Sequence, residues 1–178
     1  MTLNKPLRLR LKPLLLLLMV VLPSMQACKF GYSFTGTSID MTRLKTFSVA
    51  YFANRARLVN PNLSQQFTEA LQEKLTRQTS LNMVNDRGDL EFSGQITGYD
   101  TRPMNIQEGD YAAQTRLTVT VKVKYVNNID HDEDWEKTFS AYADYESTRI
   151  LSDVEEELAT EIIEQLTEDI FNASIANW

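Results

Sequence analysis

Cys28 is the side chain whose setting points to one definite reaction, the thioether attachment of a lipid. It is the only cysteine in the chain, so it has no disulfide partner within the protein, and a lone thiol in an oxidising compartment is a liability unless something consumes it. Met25-Gln26-Ala27 precede it: an apolar residue at −3, a small one at −1 and cysteine at +1 match a bacterial lipoprotein cleavage site. Ordinary signal peptidase requires small residues at both −1 and −3, and Met25 is bulky. Gln26 is untypical of the lipoprotein pattern, which leaves ordinary processing to a soluble protein as the alternative. Upstream, Lys5, Arg8, Arg10 and Lys12 lead into the apolar run Leu14 to Leu22 between Pro13 and Pro23, the charged-then-apolar layout of a secretory signal. At about 1.5 Å per residue that run covers about half of a ~30 Å hydrocarbon core, so it is expected to be removed rather than kept as a span. Residues 1–27 therefore read as signal, 28–44 as a lipidated tether and 45–178 as one folded domain. Two or more acyl chains on Cys28 give stable anchoring.

Elsewhere, side chains suited to catalysis are few. The chain has one histidine, His131, and 18 basic against 24 acidic side chains, a net charge of −6. Removing the signal takes away four basic residues and no acidic one, which leaves 14 against 24, or −10. A domain this acidic is a poor non-specific binder of nucleic acid. One histidine and one acylated cysteine supply too little for a His/Cys zinc site or a Ser-His or Cys-His nucleophile. Neither a nucleophile elbow nor a glycine-rich phosphate loop occurs. Asp130, His131, Asp132, Glu133 and Asp134 have oxygens for a hard cation but lack the glycine and distal glutamate of an EF-hand loop, so they read as a solvated hairpin tip. Glu155, Glu156 and Glu157, continued by Glu161 and Glu164, read as the solvated start and face of a helix. No enzymatic activity, cofactor or metal is expected. What is left is a surface: Arg116, Lys122 and Lys124 at period two on one strand face, with Arg102 in the loop before it, a basic cluster suited to phosphate or carboxylate groups. Their plainer role is to stand solvated and discourage edge pairing.

The elements that position this cluster follow from hydrophobic periodicity. A composition 43% hydrophobic and 10% aromatic is globular rather than disordered, and about 150 residues suffice for one core. Lys29 to Ser38 reads as an extended tether, or as a partner surface, since Phe30, Tyr32 and Phe34 fall at period two. Lys45 to Phe52 is a strand with Phe47, Val49 and Tyr51 on one side. Leu63, Phe67, Ala70, Leu71 and Leu75 make one face of a helix from about Asn62 to Gln78, capped by Asn62 or Ser64. After a short apolar piece, Leu81 to Val84, a strand follows with Leu90, Phe92, Gly94, Ile96 and Gly98 inward and Tyr99 outward. Two inward glycines suggest close packing, most simply by a helix backbone. Beyond a loop at 101–111, Leu117, Val119, Val121, Val123 and Tyr125 alternate with Arg116, Thr118, Thr120, Lys122 and Lys124. An acidic turn from Asn127 to Asp134 then joins this strand to an antiparallel partner carrying Trp135, Phe139, Ala141, Ala143 and Tyr145. A capping box of Ser152 and Glu155 opens a final helix in which Val154, Leu158, Ile162, Leu166 and Ile170 repeat every fourth residue. The expected fold is α+β: a two-layer sandwich with an about four-stranded mixed or antiparallel sheet covered on one face by two helices. A helical crossover allows the first strand to lie parallel to one neighbour.

Cys28 followed by Gly31-Tyr32-Ser33-Phe34, the strand from Asp89-Leu90 to Gly94-Gln95-Ile96, the Arg116-Leu117-Thr118-Val119 strand and the ending Asp169-Ile170-Phe171-Asn172 to Asn177-Trp178 together carry a family resemblance. In order and spacing the chain resembles the LptE-like lipopolysaccharide-assembly lipoproteins, most of all the branch of Bacteroidetes-type bacteria. The resemblance covers nearly all of the chain after the signal. It implies a lipid-anchored sandwich in the inner leaflet of the outer membrane, facing the periplasm and seated within or against the β-barrel LptD. There it would help the barrel assemble and export lipopolysaccharide. Of the family's functional residues only Cys28 carries over; the cluster of Arg102, Arg116, Lys122 and Lys124 is a separate expectation for contact with lipopolysaccharide or barrel. Two other readings stay open. One is a periplasm-facing lipoprotein with a small-ligand pocket permitted by Gly94 and Gly98, and the other is an adaptor in another envelope complex.

Overall fold

The computed structural model describes residues 43–58, 60–104 and 113–175. Cys28, the aromatic tether, most of the 101–111 loop and Asn177-Trp178 lie outside the described residues. In chain order the elements are β1 (Thr46–Val49), β2 (Ala53–Asn54), α1 (Leu63–Gln78), β3 (Asn82–Met83), β4 (Leu90–Pro103), β5 (Gln114–Asn127), β6 (Trp135–Glu146) and α2 (Leu151–Ser174). A 3₁₀ turn at His131–Glu133 precedes β6. The sheet order is β3-β1-β4-β5-β6, with β2 beside β4. β1 runs parallel to β3 and β4, and β2 parallel to β4, because the chain returns through a helix rather than a hairpin. β4, β5 and β6 are antiparallel. This is the expected α+β sandwich with two more strands than four: Leu81 to Val84 yields β3, and β2 lies just beyond Phe52, the expected end of the first strand.

Both helices cover one face of the sheet. Leu63, Phe67, Leu71 and Leu75 of α1 are buried, as are Val154, Leu158, Ile162, Leu166 and Ile170 of α2, against Leu117, Val119, Val121, Val123 and Tyr125 of β5. α1 packs over β1, β2 and β3, and α2 over β5 and β6. Each such side chain contributes about 1.5–3 kcal/mol of burial. On the outer side of the pair, Lys74 of α1 forms an ion pair with Glu168 of α2, which holds the Glu168 carboxyl below its usual range.

Two extra residues re-aim side chains that alternation alone assigns to the wrong side. Val49 faces Phe92 and Ala53 faces Gln95, so four steps on β1–β2 match three on β4. The inserted residue is a bulge, and it flips everything after it. Tyr51, expected inward, is 63% exposed, whereas Phe52 is 0% exposed. The Phe52 ring meets Phe67 edge-on at 5.0 Å. A Cβ on Gly94 would come within 2.7 Å of the Phe52 ring and 2.0 Å of the Lys122 carbonyl. A side chain and a neighbouring strand, not a helix backbone, thus require that glycine. The second bulge lies between Ile96, facing Val121, and Gly98, facing Thr120, and leaves Thr97 unmatched. It turns Tyr99 inward to 4% exposure and Gly98 outward against the Thr120 side chain, the reverse of the expected sides.

Neither helix makes the side-chain cap bond that its sequence suggests, although Asn62 does occupy the N-cap of α1 as expected. Ile150 is the N-cap of α2 and makes no side-chain bond; Glu155 instead accepts the hydroxyl of the inward-turned Tyr99. Burial first, and that bond second, raise the Tyr99 pKa. Glu155 is therefore tied to the core, while Glu156 and Glu157 are exposed. Asn62 caps α1 without a side-chain bond and Ser64 lies within the helix; Asn60 Oδ1 accepts the Asn62 amide at 2.9 Å.

The chain enters β1 through a carboxylate clasp. Asp89 Oδ2 accepts the amides of Lys45 at 2.8 Å and Thr46 at 2.9 Å, and the Asp89 amide donates to Thr46 Oγ1 at 3.0 Å. The bond from Lys45 is the main cause of a lowered Asp89 pKa. Stability from this clasp is present above the ordinary carboxyl pKa and is lost as pH falls through the lowered folded value. Asp89→Asn is expected to cost about 1 kcal/mol at neutral pH, with the deficit shrinking in acid, below the ordinary carboxyl range, as the native carboxylate protonates. Urea unfolding at both pH values checks this; an equal deficit at both would show that the charge contributes nothing.

Candidate functional site

The face of the sheet opposite the helices carries the four basic residues, and the register divides them into two poles. Arg102, expected in the loop, lies in β4, which runs on to Pro103 because it stays paired with β5; Arg116 is directly across from it, while Lys122 faces Gln95 and Lys124 faces Ser93. Six residue steps along β5 lead from Arg116 to Lys122, about 20 Å at ~3.4 Å per residue.

At the first pole, Arg116 Nε and Nη2 donate to the two carboxylate oxygens of Asp144, each at 2.8 Å. The guanidinium sits 3.5 Å above the Tyr142 ring. The hydrogen bond from Arg116 holds the Asp144 carboxyl below its usual range. Like charges directly opposite on a sheet repel, and Asp144 neutralises one of the two; Arg102 enters no ion pair among the described residues. A fixed guanidinium beside an unneutralised one is suited to an anionic oxygen group. At the second pole, Lys122 pairs with Glu136. That contact, followed by the weaker pull of Lys124, lowers the Glu136 pKa. Gly94, Gln95, Lys122, Lys124 and Glu136 line a shallow groove of about 250 Å³. Between the poles runs a hydroxyl band, with Thr97 Oγ1 donating to the Thr120 carbonyl at 3.3 Å and Thr120 Oγ1 3.1 Å from Ser140 Oγ.

Asp144 and Glu136 were not singled out in the sequence, although a signal for them exists. The alternation that turns Trp135, Phe139, Ala141, Ala143 and Tyr145 inward also turns Glu136, Thr138, Ser140, Tyr142 and Asp144 outward, onto the basic residues of β5. The acidic hairpin tip spends its carboxylates on the turn itself. Asp130 accepts the Asp132 amide, Glu133 accepts the Asn127 side-chain amide, Asp134 accepts the Asn127 backbone amide, and His131 Nδ1 lies 3.0 Å from Asp134 Oδ2. Nor do Gly94 and Gly98 open a pocket beneath the helices, since Phe52 fills the space at the first and the second faces outward. A groove of about 410 Å³ does lie between α1 and α2, with Ala70, Ile163 and Thr167 along it and Lys74 and Arg77 beside them.

Comparison with known proteins bears on the whole of this sandwich. Residues 44–174 match the family described as LptE, lipopolysaccharide-assembly. No curated protein sequence matches the chain. Among solved structures, a minor lipoprotein of Acinetobacter baumannii is 17% identical, with a TM-score of 0.50 over 75% of this chain and 94% of that one. A hypothetical protein of Chlamydia trachomatis is 12% identical, with a TM-score of 0.50 over 75% of this chain and 99% of that one. A rare lipoprotein B of Shewanella oneidensis is 11% identical, with a TM-score of 0.47 over 72% and 90% of the two chains. The first two share the fold; at such identities they say nothing of function. The family match, in contrast, runs through every described strand and helix from β1 to α2, and the chain belongs to the LptE lipopolysaccharide-assembly family.

Proposed function

We propose that this protein is a non-enzymatic lipoprotein of the outer membrane that binds and stabilises an LptD-like β-barrel and assists lipopolysaccharide transport and insertion. Lipid on Cys28 would hold it in the inner leaflet, facing the periplasm. The observation that carries the proposal is the family match across residues 44–174. In support, the sheet face without helices is polar, with two basic poles and a hydroxyl band, a surface compatible with the polar interior of a wide membrane barrel. Arg102, Arg116, Lys122 and Lys124 are proposed to meet the anionic groups of lipopolysaccharide or the barrel wall, with the arginine pole dominant because guanidinium binds oxyanions bidentately.

The decisive experiment is affinity purification of the lipidated protein from outer membranes in mild detergent, followed by mass spectrometry. Recovery of a large outer-membrane barrel in near-equal amount supports the proposal; recovery alone, or with an unrelated envelope complex, overturns it. For the face itself, the triple variant Arg102→Glu, Lys122→Glu and Lys124→Glu spares the Arg116–Asp144 pair. It is expected to lower barrel assembly or lipopolysaccharide export about tenfold or more, the value of one or two charge-assisted contacts. Unchanged assembly and export would remove these residues from the function.

A further inference from the structure

The side of the sheet formed by β1 and β2 is an open edge for most of its length. β3 pairs with β1 only through Thr46 and Phe47, and the bond from the Val84 amide to the Phe47 carbonyl, at 2.9 Å, is the furthest along. Among the described strands β2 pairs with β4 alone. From Val49 to Asn54 the backbone thus has a described strand on one side only; the Phe52 amide within it is taken by Thr68 Oγ1, and the rest of the arrangement offers backbone groups to another extended chain.

The side chains of this edge and of the bend at 55–58 that follows it are those of an interface rather than of a solvated rim. The bulge keeps Tyr51 63% exposed, and Leu58 is 46% exposed. Arg55 and Arg57 between them are exposed and enter no ion pair among the described residues. From Thr46 to Thr68 there is no aspartate or glutamate, although acidic side chains outnumber basic ones 24 to 18 in the chain. Tyrosine and arginine are the residues most enriched where interfaces draw their energy. The positive charge selects a negative partner, and the open edge selects a backbone: a lipid headgroup supplies the charge but no strand.

We propose that the edge from Val49 to Asn54, together with the bend at 55–58 that follows it, docks an acidic, extended segment of a protein partner, laid alongside β1 and β2 with its carboxylates on Arg55 and Arg57. The barrel proposed above is the expected owner of that segment, and to this extent the inference rests on that reading.

The test places a photoreactive phenylalanine analogue at Tyr51, at Leu58 or, as a control on the open sheet face, at Thr138 in the full lipidated protein. Irradiation in intact cells and mass spectrometry of the crosslinked peptides follow. The edge probes are expected to crosslink an acidic protein segment, and Arg55→Glu with Arg57→Glu to lower the yield about tenfold at unchanged melting temperature. If that pair unfolds the protein, Arg55→Gln with Arg57→Gln is read instead, with the same direction expected. Crosslinks to lipopolysaccharide, to a segment without carboxylates or to nothing, or a yield indifferent to the arginines, would overturn the inference. A barrel that co-purifies but crosslinks only through position 138 defeats the edge and leaves the barrel reading intact. Edge crosslinks to an acidic segment of some other protein support the edge and defeat only the assignment of that segment to the barrel.

Discussion

Phe52→Ala is expected to lower the unfolding free energy by about 3–5 kcal/mol, a large part of the about 5–15 kcal/mol that holds a typical domain together. Phe52 is 0% exposed, packs edge-on with Phe67 and fills the space that Gly94 leaves on β4. Its amide also donates to Thr68 Oγ1 at 3.1 Å, which ties the bulge to α1. Removing the ring leaves a cavity between an aromatic side chain and a glycine, where little else can move in. The neighbouring Tyr51→Ala is expected to change stability by no more than about 0.5 kcal/mol, as for an exposed residue without special contacts. Urea denaturation followed by circular dichroism measures both. The contrast tests the bulge directly, because an unbroken strand from Lys45 to Phe52 predicts the opposite order. A larger loss at Tyr51 than at Phe52 would abolish the bulge and with it the exposed tyrosine of the proposed docking edge.

Cys28→Ala is expected to have an all-or-none effect on location. The wild-type protein should incorporate labelled palmitate and sediment with outer membranes, and the variant should lose the label and the acyl-mediated attachment. Each buried methylene contributes about 0.8 kcal/mol, so two or more chains anchor a protein stably, whereas one chain alone binds only marginally and reversibly. No folded-state contact need replace that energy, and none is required for the prediction, which stands on the single cysteine and the Met25-Gln26-Ala27 before it. A variant that kept the palmitate label would return Cys28 to an ordinary thiol and make signal-peptidase cleavage the better account. Among the described residues no helix is long and apolar enough to cross a membrane.

The sequence by itself determined the elements with sustained periods. Leu63, Phe67, Leu71 and Leu75, and Val154 through Ile170, repeat every fourth residue and became the buried stripes of α1 and α2. Leu117 to Tyr125 alternate without interruption, and all of the inward residues are buried as their pattern requires. The same regularity placed Arg116, Lys122 and Lys124 together on the outer face, because β5 has no inserted residue across that span in its ladder with β6. Only the tertiary structure decided the rest. A single extra residue reverses every assignment after it, and nothing local distinguishes Tyr51 from Phe52, or Gly98 from Tyr99, as candidates for the inside. The choice belongs to partners distant in sequence: Phe67 and Gly94 for Phe52, and Glu155 for Tyr99. The capping box failed for the same reason, since Glu155 was taken by a tyrosine 56 residues away. Charge pairing followed too, for Arg116 becomes a fixed Arg–Asp pair and Arg102 an unneutralised neighbour only once β4, β5 and β6 settle into register. Local periodicity therefore sufficed for the two helices and for the faces of the unbroken β5, while bulges, the faces beyond them and ion pairs depended on contacts between strands that no short window contains.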